Sequence, residues 1–230
     1  MTEFKQILSK VRSRGHWTVT IRPSHFRKDR VPDISSLTPL LDKIVVQLRG
    51  WDFPHIDHRE APAIGIDSIE HSFDWEHNKG AWRFYQSGQF FYVFAIALDW
   101  RDESRWWPAD QNWKPGTLLG IGDVIFQYAE ILEFASRLAL TEAGDESMHI
   151  SVEVGPLAGR YLYMDTNRNR WPIDLHRASI DGFPFTTTIE KSRLLAEHTN
   201  IAFSAALELF KRFGWATSID IIKDWYGKRG

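Results

Sequence analysis

The chain of 230 residues predicts an α+β fold: a largely antiparallel or mixed sheet of about six strands packed against long helices. Three observations predict it. Runs of strand-like residues come early, and the longest helical patterns come late, an order that favours segregated strands and helices. Residues 81–98, "AWRFYQSGQFFYVFAIAL", place two aromatic runs on either side of Ser87-Gly88, a dipeptide suited to a tight turn. Residues 120–140 carry apolar side chains at helical spacing for five turns. One domain over 1–230 is expected, with the weakest candidate boundary in the 99–116 loop.

The elements follow in order. Phe4, Ile7, Leu8 and Val11 recur at helical spacing, so 3–13 reads as a helix ended by Gly15. "HWTVTIRP" (16–23) alternates, with Trp17, Val19 and Ile21 on one side, and Pro23 stops it. A basic loop holds Arg22, Arg27, Lys28 and Arg30. Ser35 or Ser36 caps a short helix bearing Leu37, Leu40, Leu41 and Ile44. "IVVQLRGW" (44–51) reads as a strand and "AIGIDSIEHSFDWEH" (63–77) as another. Residues 99–116 form a long polar loop with Trp106, Trp107 and Trp113. The 120–140 helix has Val124, Ile125, Tyr128, Ile131, Leu132, Ala135 and Leu138 on one side, and Asp123 near its positive end. "HISVEV" and "RYLYMD" are strands joined through Gly155-Pro156. A second loop, 165–186, contains "NRNRWP". Thr187 and Glu190 fit a capping box ahead of a helix reaching Phe213, which Gly214 ends. Ser218 caps a last helix with Ile219, Ile222 and Trp225. The expected core includes Trp17, Val19, Ile21, Val45, Leu48, Phe84, Phe91, Val93, Val124, Ile131, Val152 and Leu162.

Composition narrows function. A net charge of −2 argues against a generally basic nucleic-acid binder. With no cysteine, thiolate metal sites and cysteine nucleophiles are excluded. The opening residues lack a continuous apolar run, and no window approaches eighteen uncharged apolar residues, so a cytoplasmic protein without a membrane span is expected. Phosphate-loop, dinucleotide, nucleophile-elbow and kinase patterns are all missing from the sequence.

Two constellations carry chemistry. His55, Asp57 and His58 stand close to His71, Asp74, Glu76 and His77. Imidazole with carboxylate can hold a divalent metal or pass protons. The other reading of "GWDFPHIDHRE" (50–60) is a structural turn, anchored by Trp51 and Phe53 and stiffened by Pro54. Arg83 and Tyr85 alternate with Trp82 and Phe84. An arginine beside aromatics can bind phosphate or stack on a base; alternatively it only pairs across strands. Arg22, Arg27, Lys28, Arg30 and the "RNR" of 168–170 offer a further anion surface. Eleven tryptophans exceed what a core needs, and Trp with Arg dominates many interfaces. Hence Trp106 and Trp107 are expected on a partner or self-association surface, with Arg101 and Arg105 at its rim.

"RGWDFPHID", "WRFYQSGQFFY" and "DW", within residues 48–100, resemble stretches of uncharacterised bacterial proteins found with Schlafen-type AlbA or ATP-binding modules in defence-like settings. The resemblance implies an intracellular sensing or interaction module and assigns no catalytic residue. The expected function is therefore a non-enzymatic binding module without cofactor for a protein, nucleotide or nucleic-acid partner, using Trp51, His55, Arg83, Tyr85, Trp106 and Trp107. The alternative is a metal-dependent phosphodiesterase or nuclease with His55, Asp57, His58 and Asp74 as ligands, the metal lowering the pKa of its water.

Overall fold

A computed structural model describes residues 2–56, 60–106, 108–109, 111, 113–163 and 176–227. Its centre is a seven-stranded antiparallel sheet with helices on both faces. In chain order the elements are α1 (Glu3–Arg12), β1 (His16–Pro23), α2 (Leu37–Ile44), β2 (Ala63–Ile64), β3 (Ser68–Trp75), β4 (Asn78–Tyr85), β5 (Phe90–Ala95), β6 (Leu118–Gly120), α3 (Ile121–Ala139), β7 (Ser147–Gly155), β8 (Tyr161–Tyr163), β9 (Phe183–Glu190), α4 (Lys191–Lys211) and α5 (Ile219–Gly227). The sheet order is β2-β3-β4-β5-β1-β7-β9, and β6 pairs with β8 in a separate parallel ribbon.

Alternation within the strands divides the sheet into two chemically different faces. On the inner face Trp17 lies opposite Phe94, Val19 opposite Tyr92 and Val152, and Ile21 opposite Phe90 and Ile150. α3 and α4 cover this face, and α3 places Val124, Tyr128, Ile131 and Phe134 in the core. The outer face is covered by α1 across β3, β4 and β5. Beyond α1 it is polar, with His149 against Thr188 and Ser151 against Thr186.

Several sequence expectations change. Residues 44–51 form no strand. Val46 and Phe53 exchange both backbone hydrogen bonds, at 3.0 and 2.8 Å, closing a tight loop whose Gly50 has φ +72°. Here a positive φ at Gly50 reverses the chain, which a strand cannot do. Residues 63–77 are a hairpin: Gly65 N–H donates to the Ser68 carbonyl at 2.7 Å, separating β2 from β3. The Thr187–Glu190 capping box does not form. Residues 183–190 are strand β9, because Phe183, Phe185, Thr187 and Ile189 fall on the inner face opposite Val154, Val152, Ile150 and Met148. β-Branched threonines suit such a half-covered strand. The start of "RYLYMD" joins β6 rather than the main sheet. The expected 99–116 loop begins inside a 3-10 stretch, Ala97–Glu103. Of the expected core, Val45, Leu48 and Phe91 are only partly buried, while Val46 is fully buried; the remaining nine are in the core.

Candidate functional site

The loop 46–53 positions the site. Phe53 inserts into the core, tilted or edge-on to Tyr92, Phe94 and Phe134 at 5.5–6.1 Å. That burial fixes the loop from one end. Trp51, expected as a second anchor, instead stays 37% exposed. Its ring stacks on His55 at 4.3 Å and on Trp75 at 5.6 Å, both within 14° of parallel. His55 closes this ladder edge-on to Phe73, and its carbonyl accepts from Trp82 Nε1 at 2.7 Å. Thus the loop is a built turn, and His55 is a wall of it.

Behind Trp51 lies a cavity of about 620 Å³. Its sheet wall is Trp17, Tyr92 and Phe94 of the inner face; its helical wall is the first half of α3. On α3 three polar residues, Asp123, Gln127 and Glu130, line it at positions i, i+4 and i+7. Such spacing puts them on one stripe of a helix whose other sides are apolar. Trp106, 79% exposed, stands at the cavity with Trp51.

Arg49 enters from the loop and meets that stripe. Its Nε and Nη2 donate to the two carboxylate oxygens of Glu130 at 2.9 and 2.6 Å, a bidentate pair. Its Nη1 reaches Asp123 Oδ1 at 3.3 Å. Only 3% of the Glu130 side chain is accessible, against 22% of Arg49 and 47% of Asp123. Burial pushes the Glu130 carboxyl up, and Arg49 opposes it. Burial lowers the Arg49 affinity for its proton, but the two carboxylates outweigh that, so the guanidinium stays charged. At the far rim, His77 Nδ1 lies 2.9 Å from Ser104 Oγ, which lies 3.2 Å from Glu76. Burial first, with Lys79 adding to it, holds His77 below its ordinary value, which favours the neutral ring. The order acid–hydroxyl–imidazole is not that of a nucleophile triad, where the imidazole stands between the other two. Glu76 also accepts from Arg105 N–H at 3.1 Å, tying the Trp106 segment to the β3–β4 turn.

The other singled-out residues lie elsewhere. Arg83 and Tyr85 are on the outer face beneath α1. Arg83 grips Glu70 through Nε, at 2.8 Å, and Nη2, donates to Tyr85 Oη at 3.3 Å and sits 4.8 Å over Phe4. This is the cross-strand pairing reading, and Arg83 has no part in the cavity. His55 touches Phe73 and His71 of the inner face, whereas Asp74 takes the opposite direction in β3. There it accepts from Lys10 at 2.8 Å and pairs with Lys79 at 2.5 Å. Asp57 and His58 fall outside the described residues. Among the described residues, no three His, Cys, Asp or Glu side chains gather as a metal would need. Trp107 and 168–170 also lie outside the described residues. Trp113 is half-buried and donates to the Leu98 carbonyl at 2.9 Å. Arg101 donates to the Pro108 carbonyl at 2.7 Å, and Arg105 is exposed.

No family model, curated protein or solved structure matches this chain. No helix among the described residues is long and apolar enough to cross a membrane.

Proposed function

We propose that the protein is a binding module that holds a small molecule, or one projecting group of a larger partner, in the cavity between α3 and the loop 46–53. The observation that carries this is the combination of a 620 Å³ space, exposed Trp51 and Trp106 beside it, and a polar stripe with a buried ion pair inside it. Binding cavities are commonly about 300–1,000 Å³, mostly apolar, with few placed polar groups. Exposing two indoles is costly for a molecule that never covers them. Placing Asp123 and Gln127 beside those indoles gives a partner directed contacts as well as stacking area. A role in sensing, as the resemblance of residues 48–100 implies, is compatible with such a module.

A fragment set screened by saturation-transfer NMR tests the reading. Fragments that bind the wild type should lose their signal in both Gln127→Trp, which fills the cavity, and Trp51→Ala. The reading fails if no fragment binds, or if the binders are indifferent to both substitutions.

A further inference from the structure

The charge arrangement inside the cavity bears on what it accepts. Arg49 is shared by two carboxylates, Glu130 in a bidentate contact and Asp123 at 3.3 Å. One guanidinium cannot neutralise both, so of this pair one negative charge is in excess, and it falls on Asp123, the more exposed of the two; Asp52 also lines the cavity and accepts from Gln47 Nε2. Lys79 also lines the cavity, but its side chain is 1% exposed and its ammonium is engaged by Asp74 and Glu103. His77 is hydrogen-bonded to Ser104. Thus among the described residues no lining cation remains open to an incoming phosphate or carboxylate. The positive end of α3 opens onto the same space through Gly120 and Gly122, but Asp123 in its first turn already offsets that end. The same cavity is lined by Trp106, Phe73 and Tyr163, rings of the kind whose faces attract cations, and by the exposed part of Trp51, which is itself stacked on His55 and Trp75.

We propose that the cavity takes an organic cation: an ammonium or methylated ammonium group whose charge faces Asp123 and whose alkyl surface packs on Trp51 and Trp106. This rests on the cavity being a binding site, as proposed above. A cation there gains from ring faces and from a partly desolvated carboxylate at once, whereas a phosphate would meet Asp123 with no free partner.

Calorimetric titration with tetramethylammonium, choline and benzyltrimethylammonium tests it, against 3,3-dimethylbutan-1-ol as the neutral shape-mate of choline and adenosine monophosphate as the anion. The proposal expects saturable binding of the cations, with choline about tenfold tighter than the neutral alcohol, between the size of an exposed and of a fully desolvated cation–ring contact. Asp123→Asn and Trp106→Ala should each weaken the cations severalfold, and the alcohol should be insensitive to Asp123→Asn. Equal binding of choline and its neutral shape-mate, or tighter binding of adenosine monophosphate, overturns the cation assignment and leaves the cavity a binding site. If no cation binds while the NMR fragments still do, the cation assignment again fails alone. If neither cations nor fragments bind, both proposals fall.

Discussion

Asp99 joins three separated segments through one buried carboxylate. It accepts from Arg160 at 2.8 and 2.5 Å, from Gly15 N–H at 2.9 Å and from Gly116 N–H at 2.9 Å. Arg160 also donates to the Pro156 and Leu118 carbonyls. Arg160→Met would leave the carboxylate buried without its counter-charge and should cost about 3–5 kcal/mol, read from the urea midpoint. Phe53 and Trp106 should separate two roles of aromatic residues. Phe53→Ala opens a hole beneath the loop and should cost about 3–5 kcal/mol. Trp106→Ala removes an exposed ring and should stay within about 0.5 kcal/mol while weakening ligand capture severalfold; a large loss of stability would show Trp106 to be core. At this scale the sequence was half legible. The stripe Asp123-Gln127-Glu130 stands in plain view at i, i+4 and i+7 among apolar neighbours, and it is the signal that reading α3 only for its apolar side passes over. Its partner Arg49 lies 81 residues from Glu130, and no local pattern connects them. His55 and Asp74 look like one cluster in sequence, yet His55 packs on Phe73 of the inner face while the alternation of β3 turns Asp74 to the outer one.

β9 shows how an element is misread when a local motif competes with a non-local one. Thr187-x-x-Glu190 satisfies a capping pattern, but the same residues alternate between covered and open sides, and pairing with β7 decides the outcome. A capping contact contributes about 1 kcal/mol, less than an eight-residue ladder with Phe183 and Ile189 buried. The 46–53 loop is the converse case. Val46 and Leu48 suit a strand, as does Val45 before them, but Gly50 and the Val46–Phe53 closure turn the chain back. Long periodic elements such as β1 and α3, and the hairpin around Ser87-Gly88, were legible because one face of each is buried along its whole length. That hairpin permits a sharp test. Gly88 has φ +82°, and a Cβ there would lie 2.1 Å from the Ala143 carbonyl oxygen. Gly88→Ala should therefore cost about 1–3 kcal/mol by thermal unfolding. A neutral result would place Ala143 further from the turn.

Across the whole molecule, the inner face of the sheet carries the apolar core and the outer face carries ion pairs. On the outer face Lys10 and Lys79 pair with Asp74 and Glu103, and Arg14 with Asp102, and these ties dock α1 and the 97–103 stretch. For Asp74 and Glu103, burial works against ionisation but the lysines outweigh it; for Asp102 the Arg14 contact is the largest influence. All three carboxyls are held below their ordinary values. Depressed folded values mean their contribution is complete above the unfolded values of about 4 and is lost as pH falls through the folded ones. Melting temperature should thus fall as pH drops below about 4, and Asp74→Asn with Glu103→Gln should flatten that fall. Glu130, pushed the other way, works against this trend, so its Gln variant should leave the acid slope at least as steep. An unchanged slope in the Asp74/Glu103 variant would remove these pairs from the acid response. The inner face carries the central claim, that the space between α3 and the Trp51 loop receives a ligand. The most direct measurement follows the indole N–H resonances of all eleven tryptophans during titration with benzyltrimethylammonium. The account predicts saturable shifts at Trp51 and Trp106, with the Gln127 side-chain amide moving on the same isotherm, while fully buried Trp82 and Trp100 stay still. Shifts absent from Trp51 and Trp106, or linear and spread over every indole, would contradict it.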